Sequence, residues 1–229
     1  WFSFIQKLGK NKYQFFLAFT VGLLLFLAFD VIEEAKDISQ SHISDIFNGQ
    51  LLILTVTVLS FLILFSIGKS LINKSQSSRM SKSLAISLMI AVGIGFHNFG
   101  EGLAVGAAVA LGQVALSTFL IVGFAIHNTT EGFAIAAPLG RTKSIILKLI
   151  GLGIIAGSPA IFGTWIGGFS YSPITTVMFL SIGAGALFQV IISILQYIRE
   201  ENSNSLSSPS IISGVGSGLL LMYITSIFI

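Results

Sequence analysis

The sequence predicts an all-α, polytopic transmembrane helix bundle, and three observations lead there. Of its 229 residues, 54% are hydrophobic and only 9% are charged, whereas a soluble domain carries about 25% charge. Mean hydropathy is +0.93. The apolar residues fall in long unbroken runs. Such runs suit helices of about 20 residues rather than the alternating strands of about ten residues that build a membrane barrel. Lipid is therefore the expected solvent. The formal charge of +3 does not call for a nucleic-acid partner, because the basic residues sort by membrane face.

Seven runs approach spanning length, near 13–36, 50–68, 84–110, 114–139, 144–168, 173–198 and 208–229. Together they form one transmembrane domain over 1–229. The first run carries carboxylates at its far end and lacks a small-residue cleavage site, so it is not a signal peptide. Because the chain starts at Trp1 rather than methionine, an upstream segment is expected.

If the seven spans alternate, eleven of the twelve basic residues share one face. They are Lys7, Lys10 and Lys12 before the first span, Lys69, Lys74, Arg79 and Lys82 between the second and third, Arg141, Lys143 and Lys148 after the fourth, and Arg199 after the sixth. Lys36 alone falls opposite. Basic residues mark the cytoplasmic side, so the N-terminal stub and the Lys69–Lys82 loop are expected inside and the C-terminus outside, in the cell membrane. The loop around Asn73–Ser83 reads as solvated and flexible. Asp30, Glu33, Glu34, Asp37 and Asp45 cluster with His42 at the outer end of the first span and its loop. This is a solvated loop or an acidic vestibule that concentrates cations. Asp30 and Glu33, one turn apart and nearest the apolar core, are the candidates for an approach path.

Two carboxylates remain for the membrane interior, and both belong to a repeated phrase. His97-Asn98-Phe99-Gly100-Glu101-Gly102 is echoed by His127-Asn128-Thr129-Thr130-Glu131-Gly132. Each copy lies mid-span, where ionisable groups are costly without a partner. His and Glu four apart stack on one helix face, with Asn on an adjacent stripe. A short turn near Leu111–Ala115 makes the two helices antiparallel neighbours, which brings both motifs to one depth. Two imidazoles, two carboxylates and two amides can then converge on one divalent metal ion. Cysteine is absent, so any metal must be held by nitrogen and oxygen. That set suits zinc and also admits iron or manganese. A site without thiolates is expected to release its ion, and to lose it in acid. Gly93, Gly95, Gly100, Gly102 and Gly106, with Gly123 and Gly132 on the next helix, would let helices approach closely.

At these residues the chain resembles the ZIP (Zrt-, Irt-like) family of divalent metal transporters. The resemblance covers the two motif helices, the acidic end of an early span and the basic loop before the first motif. It implies an eight-helix bundle with both termini outside, whose first helix would precede Trp1. It also implies a transport site at His97, Asn98, Glu101, His127, Asn128 and Glu131, moving zinc, iron, manganese or cadmium toward the cytosol. Three departures stand out. Gly100 and Thr130 occupy positions where many members have proline. Ser158-Pro159 replaces a carboxylate and proline, and Asn128 stands where some members have aspartate, which favours one principal site. Gln189 and Ser193 stand in a late helix that often carries a His-Glu pair, so Ser158 and Gln189 are left as secondary polar contacts.

The expected mechanism is alternating access with the metal as cargo and no resident cofactor. No phosphate-binding glycine-lysine motif supplies energy, so flux follows the metal gradient or couples to protons through Glu101 and Glu131. An enzyme is not expected. His-Glu-x-x-His is absent, and three histidines are too few for a membrane oxygenase. The remaining alternative is a non-transporting protein in which His-Glu pairs lock helices or relay protons. Gly214, Gly216 and Gly218 in the last span could pack on another helix or join a homodimer.

Overall fold

The computed structural model describes residues 9–43, 48–75, 81–139, 146–201 and 206–227. The side chains of His42, residues 71–75, Ile126, His127, Thr130 and Glu201 fall outside that description. Lys7, Asp45, Arg79, Arg141 and Lys143 lie outside the described residues altogether. Among the described residues the fold is entirely helical: α1 (Lys10–His42), α2 (Gly49–Ser75), α3 (Lys82–Ala110), α4 (Val114–Ala136) followed by a 3-10 turn (Ala137–Leu139), α5 (Ile146–Phe169), α6 (Pro173–Glu201) and α7 (Pro209–Ile227). Six of them, α1, α2, α3, α5, α6 and α7, are long and apolar enough to cross a membrane, and the described residues of α4 hold a shorter apolar stretch at Val114–Ala125. Helices satisfy every backbone hydrogen bond within the segment, the condition lipid imposes on a spanning chain.

Local chemistry sets the ends. Ser81 caps α3, its side chain accepting from the Leu84 amide. The α3–α4 turn passes through Gly112 at φ 69°, a left-handed conformation that glycine adopts freely. Pro173 and Pro209 open α6 and α7, where a missing N–H costs nothing. Two sequence-based boundaries need correction. The first helix does not end at 36 but continues to His42. Asp37 is therefore helical, and Lys36 is held 3.9 Å from Glu33 one turn away. The second helix runs to Ser75, which takes Lys69 and Lys74 out of the expected loop.

Packing is uneven. α3 lies at the centre, pressed along α5 and α6. Gly102 and Gly106 abut the backbone of Ala160 and Thr164, while Gly163 and Gly167 abut Phe99 and Leu103. A side chain on either helix would collide with the other. The α3 glycines thus serve α5 and α6 rather than the second motif helix. At the other side of the bundle, Gly214 and Gly218 of α7 rest on the α1 backbone at Phe15 and Phe19, whereas Gly216 faces open space. The outer faces of α2 and α5 carry exposed large side chains, among them Leu54, Leu62, Ile154, Ile161 and Trp165. Apolar faces of that extent mark a membrane protein.

Candidate functional site

The first motif is enclosed within the bundle. His97, Asn98 and Glu101 are 1%, 2% and 2% exposed. Gly183 of α6 makes this possible, since a Cβ there would stand 3.0 Å from the His97 Cα. Asn98 donates from Nδ2 to the Ala156 carbonyl of α5 at 3.0 Å. Pro159 lies inside α5, where it removes the donor for the Ile155 carbonyl and loosens that turn. The neighbouring Ala156 carbonyl takes the amide of Asn98.

The second motif arrives from α4. Glu131 is 4% exposed, and its Oε1 lies 3.7 Å from Nε2 of His97. The same Nε2 lies 3.0 Å from Oε1 of Glu101. Carboxylates from two helices therefore meet at one buried imidazole. Asn128 is partly buried. The Oδ1 atoms of Asn98 and Asn128 are both buried and have no hydrogen-bond partner among the described residues. Orphaned buried acceptors are rare and point to a group that fills them. The His127 side chain lies outside the described residues. Among the described side chains, no set of three or more His, Asp or Glu is arranged to hold a metal ion.

Above the cluster is a cavity of about 610 Å³. Asp30, Glu33, Glu34 and Asp37 of α1 form one wall, the last turns of α3 another, and Leu116, Leu120 and Phe124 of α4 a third. Its lowest residues are Ala104, three past Glu101, and Phe124, four before Asn128. The floor is thus about one helical turn from the cluster. Tyr171, between α5 and α6, completes the lining. Burial pushes its phenol above the usual value, against a hydrogen bond with Thr176 and helped by the charge of Glu34.

The remaining predicted contacts stand elsewhere. Ser158 is half-buried on α5. Gln189 is buried on α6 and donates to Ser193 at 2.9 Å on its own helix, six residues past Gly183. Sequence reasoning missed Gly183 and Ala156. Nothing distinguishes Gly183 from the other glycines of the chain, and a backbone carbonyl leaves no trace in a sequence. Pro159 was the one signal for Ala156, because a mid-helix proline frees carbonyls nearby. Comparison with models of known protein families returned no match, and comparison with curated proteins returned none.

Proposed function

We propose that this membrane protein carries divalent transition-metal cations, zinc foremost and also iron, manganese or cadmium, toward the cytoplasm by alternating access, as a member of the ZIP family. The observation that carries this reading is the meeting of Glu101 and Glu131, from separate helices, at the Nε2 of His97. Two buried carboxylates beside one imidazole form a set that a divalent cation neutralises, whereas uncompensated charge at that depth is costly. Ligands about 2.1 Å from a tetrahedral zinc lie about 3.4 Å from each other. The observed 3.0 and 3.7 Å bracket that spacing. Orphaned oxygens of Asn98 and Asn128 add neutral donors, and His127 has the right chemistry for a further one. The acidic cavity would gather cations from the face opposite the basic residues.

Seven spans and an inside N-terminus complete the proposal. α4 has 23 residues, about 35 Å of helix, enough to cross a hydrocarbon core of about 30 Å. The segregation of basic residues favours the cytoplasm at the Lys10 end of α1.

One observation favours the rival reading of a helix lock or proton relay: the direct 3.0 Å contact between His97 and Glu101. Zinc flux in reconstituted vesicles separates the two. Glu101→Ala and Glu131→Ala should each abolish uptake. Unchanged uptake and unchanged zinc binding in both variants would remove the transport site, and proton flux without metal dependence would establish the relay.

A further inference from the structure

We propose, resting on the transport reading above, that the buried hydrogen bond between Tyr13 and Pro138 is the latch closing the His97 site toward the basic end of the bundle, and that Ser87 lines the path when it opens. The two ends of the site differ. Toward the acidic end the cavity reaches within about a turn of Glu101 and Asn128. Toward the basic end, Ile94, Ile90 and Ile86 of α3 are fully buried and share one core with Tyr13, Ala137 and Leu139.

One buried hydrogen bond crosses this layer from α1 to the end of α4, beside the ring contacts of Phe16 and Phe19 with Phe133. The Tyr13 hydroxyl of α1 donates to the Pro138 carbonyl at 3.1 Å, and the bond is buried. That carbonyl is available because α4 ends at Ala136 and the chain passes into a 3-10 turn, and the last carbonyls of a helix have no partner within it. Pro138 lies seven residues past Glu131. Motion of α4 that breaks the latch therefore also shifts Glu131 against His97, so opening and loss of a ligand are one event.

The layer also contains polar atoms that a permanent seal would not want. Ser87 is fully buried, and its Oγ has no partner among the described residues. The Nε2 of Gln14, the residue after Tyr13, has none either. Ser87, Ile94 and Glu101 recur at seven-residue intervals, which places them on one stripe of α3. A hydroxyl on the stripe of the site, orphaned when packed and hydrated when exposed, belongs in the wall of a path that fills with water in another state.

The chain has no cysteine, so Ser87→Cys provides a lone reporter thiol and Gln14→Cys a second. In nanodiscs, which leave both faces open, a charged methanethiosulfonate should label Ser87→Cys slowly. Adding Tyr13→Phe, which keeps the ring and removes only the hydroxyl, should speed labelling several-fold. Equal labelling rates with and without Tyr13→Phe at both reporters overturn the latch, as does a parent reporter that reacts as fast as a surface thiol. Zinc flux is measured on the same variants reconstituted in sealed vesicles. Faster labelling in a chain that moves no zinc keeps the latch and removes the transport reading. Normal flux with unaltered labelling keeps transport and removes the latch.

Discussion

The two copies of the motif use nearly the same letters in different surroundings. On α3 every polar member is buried to within 2%, Asn98 is tethered to α5, and Gly183 admits the His97 backbone against α6. Among the described residues of the α4 copy, Glu131 alone is comparably enclosed. Asn128 is half-buried, Thr129 and Gly132 are exposed, and Gly132 has open space where a side chain would be. The motif sets which atoms are presented, and the helices packed around it set how firmly each copy is held; in the transport proposed above, the looser copy is the one that moves. The first copy is held as a fixed frame, and the second is delivered to it from the edge of the bundle.

The sharpest way to break that contrast is to add bulk on each helix. Gly102→Val must push against the Ala160 backbone, and overpacking of this kind costs about 1–3 kcal/mol or more. Thermal unfolding in detergent should show a large loss or no assembled protein. Gly132→Val has room and should unfold close to the parent. Equal losses at the two sites would mean that α4 is as confined as α3.

Next in size, Asn98→Ala should cost about 1 kcal/mol through its lost bond to Ala156, while Asn128→Ala should be near neutral in the same assay. Zinc binding should weaken by about tenfold in both, measured by calorimetry. A stability loss confined to Asn128→Ala would reverse the assignment of frame and mover. Lowering the pH should then weaken zinc binding in the parent, because protons compete for His97, Glu101 and Glu131. Titration of affinity against pH checks this, and a flat profile in acid would separate binding from these groups. The smallest expected effect is Gly132→Ala, a gain of up to about 1 kcal/mol from helix propensity alone, visible as a slightly raised melting temperature.

Much of this contrast was not legible in the sequence. The helical class was, because unbroken apolar runs leave one backbone solution in lipid. So was the meeting of His97, Glu101 and Glu131, which needs only the four-residue spacing and a short turn. The end of α1 was misplaced because charge after an apolar run reads as a loop. Yet Asp37 to His42 follow four sound helix formers, Glu33 to Lys36, and the Glu33–Lys36 pair carries the helix on into them. The glycine seam was visible, but its partner was not. Gly151, Gly153 and Gly157 face open space while Gly163 and Gly167 on the same helix touch α3 backbone, and no local property separates the two groups. Tyr13 gave no signal, since its acceptor lies 125 residues away.

α1 extends for 33 residues without a break, about 50 Å of stiff rod. It bears Tyr13 near one end and the acids Asp30 to Asp37 toward the other. A beam that carries both doors cannot swing them apart independently: a tilt that widens one mouth narrows its opposite. In the transport proposed above, the coupling that keeps the two mouths from opening together would reside in the continuity of this one helix, and a proline at its midpoint should give a zinc leak in sealed vesicles.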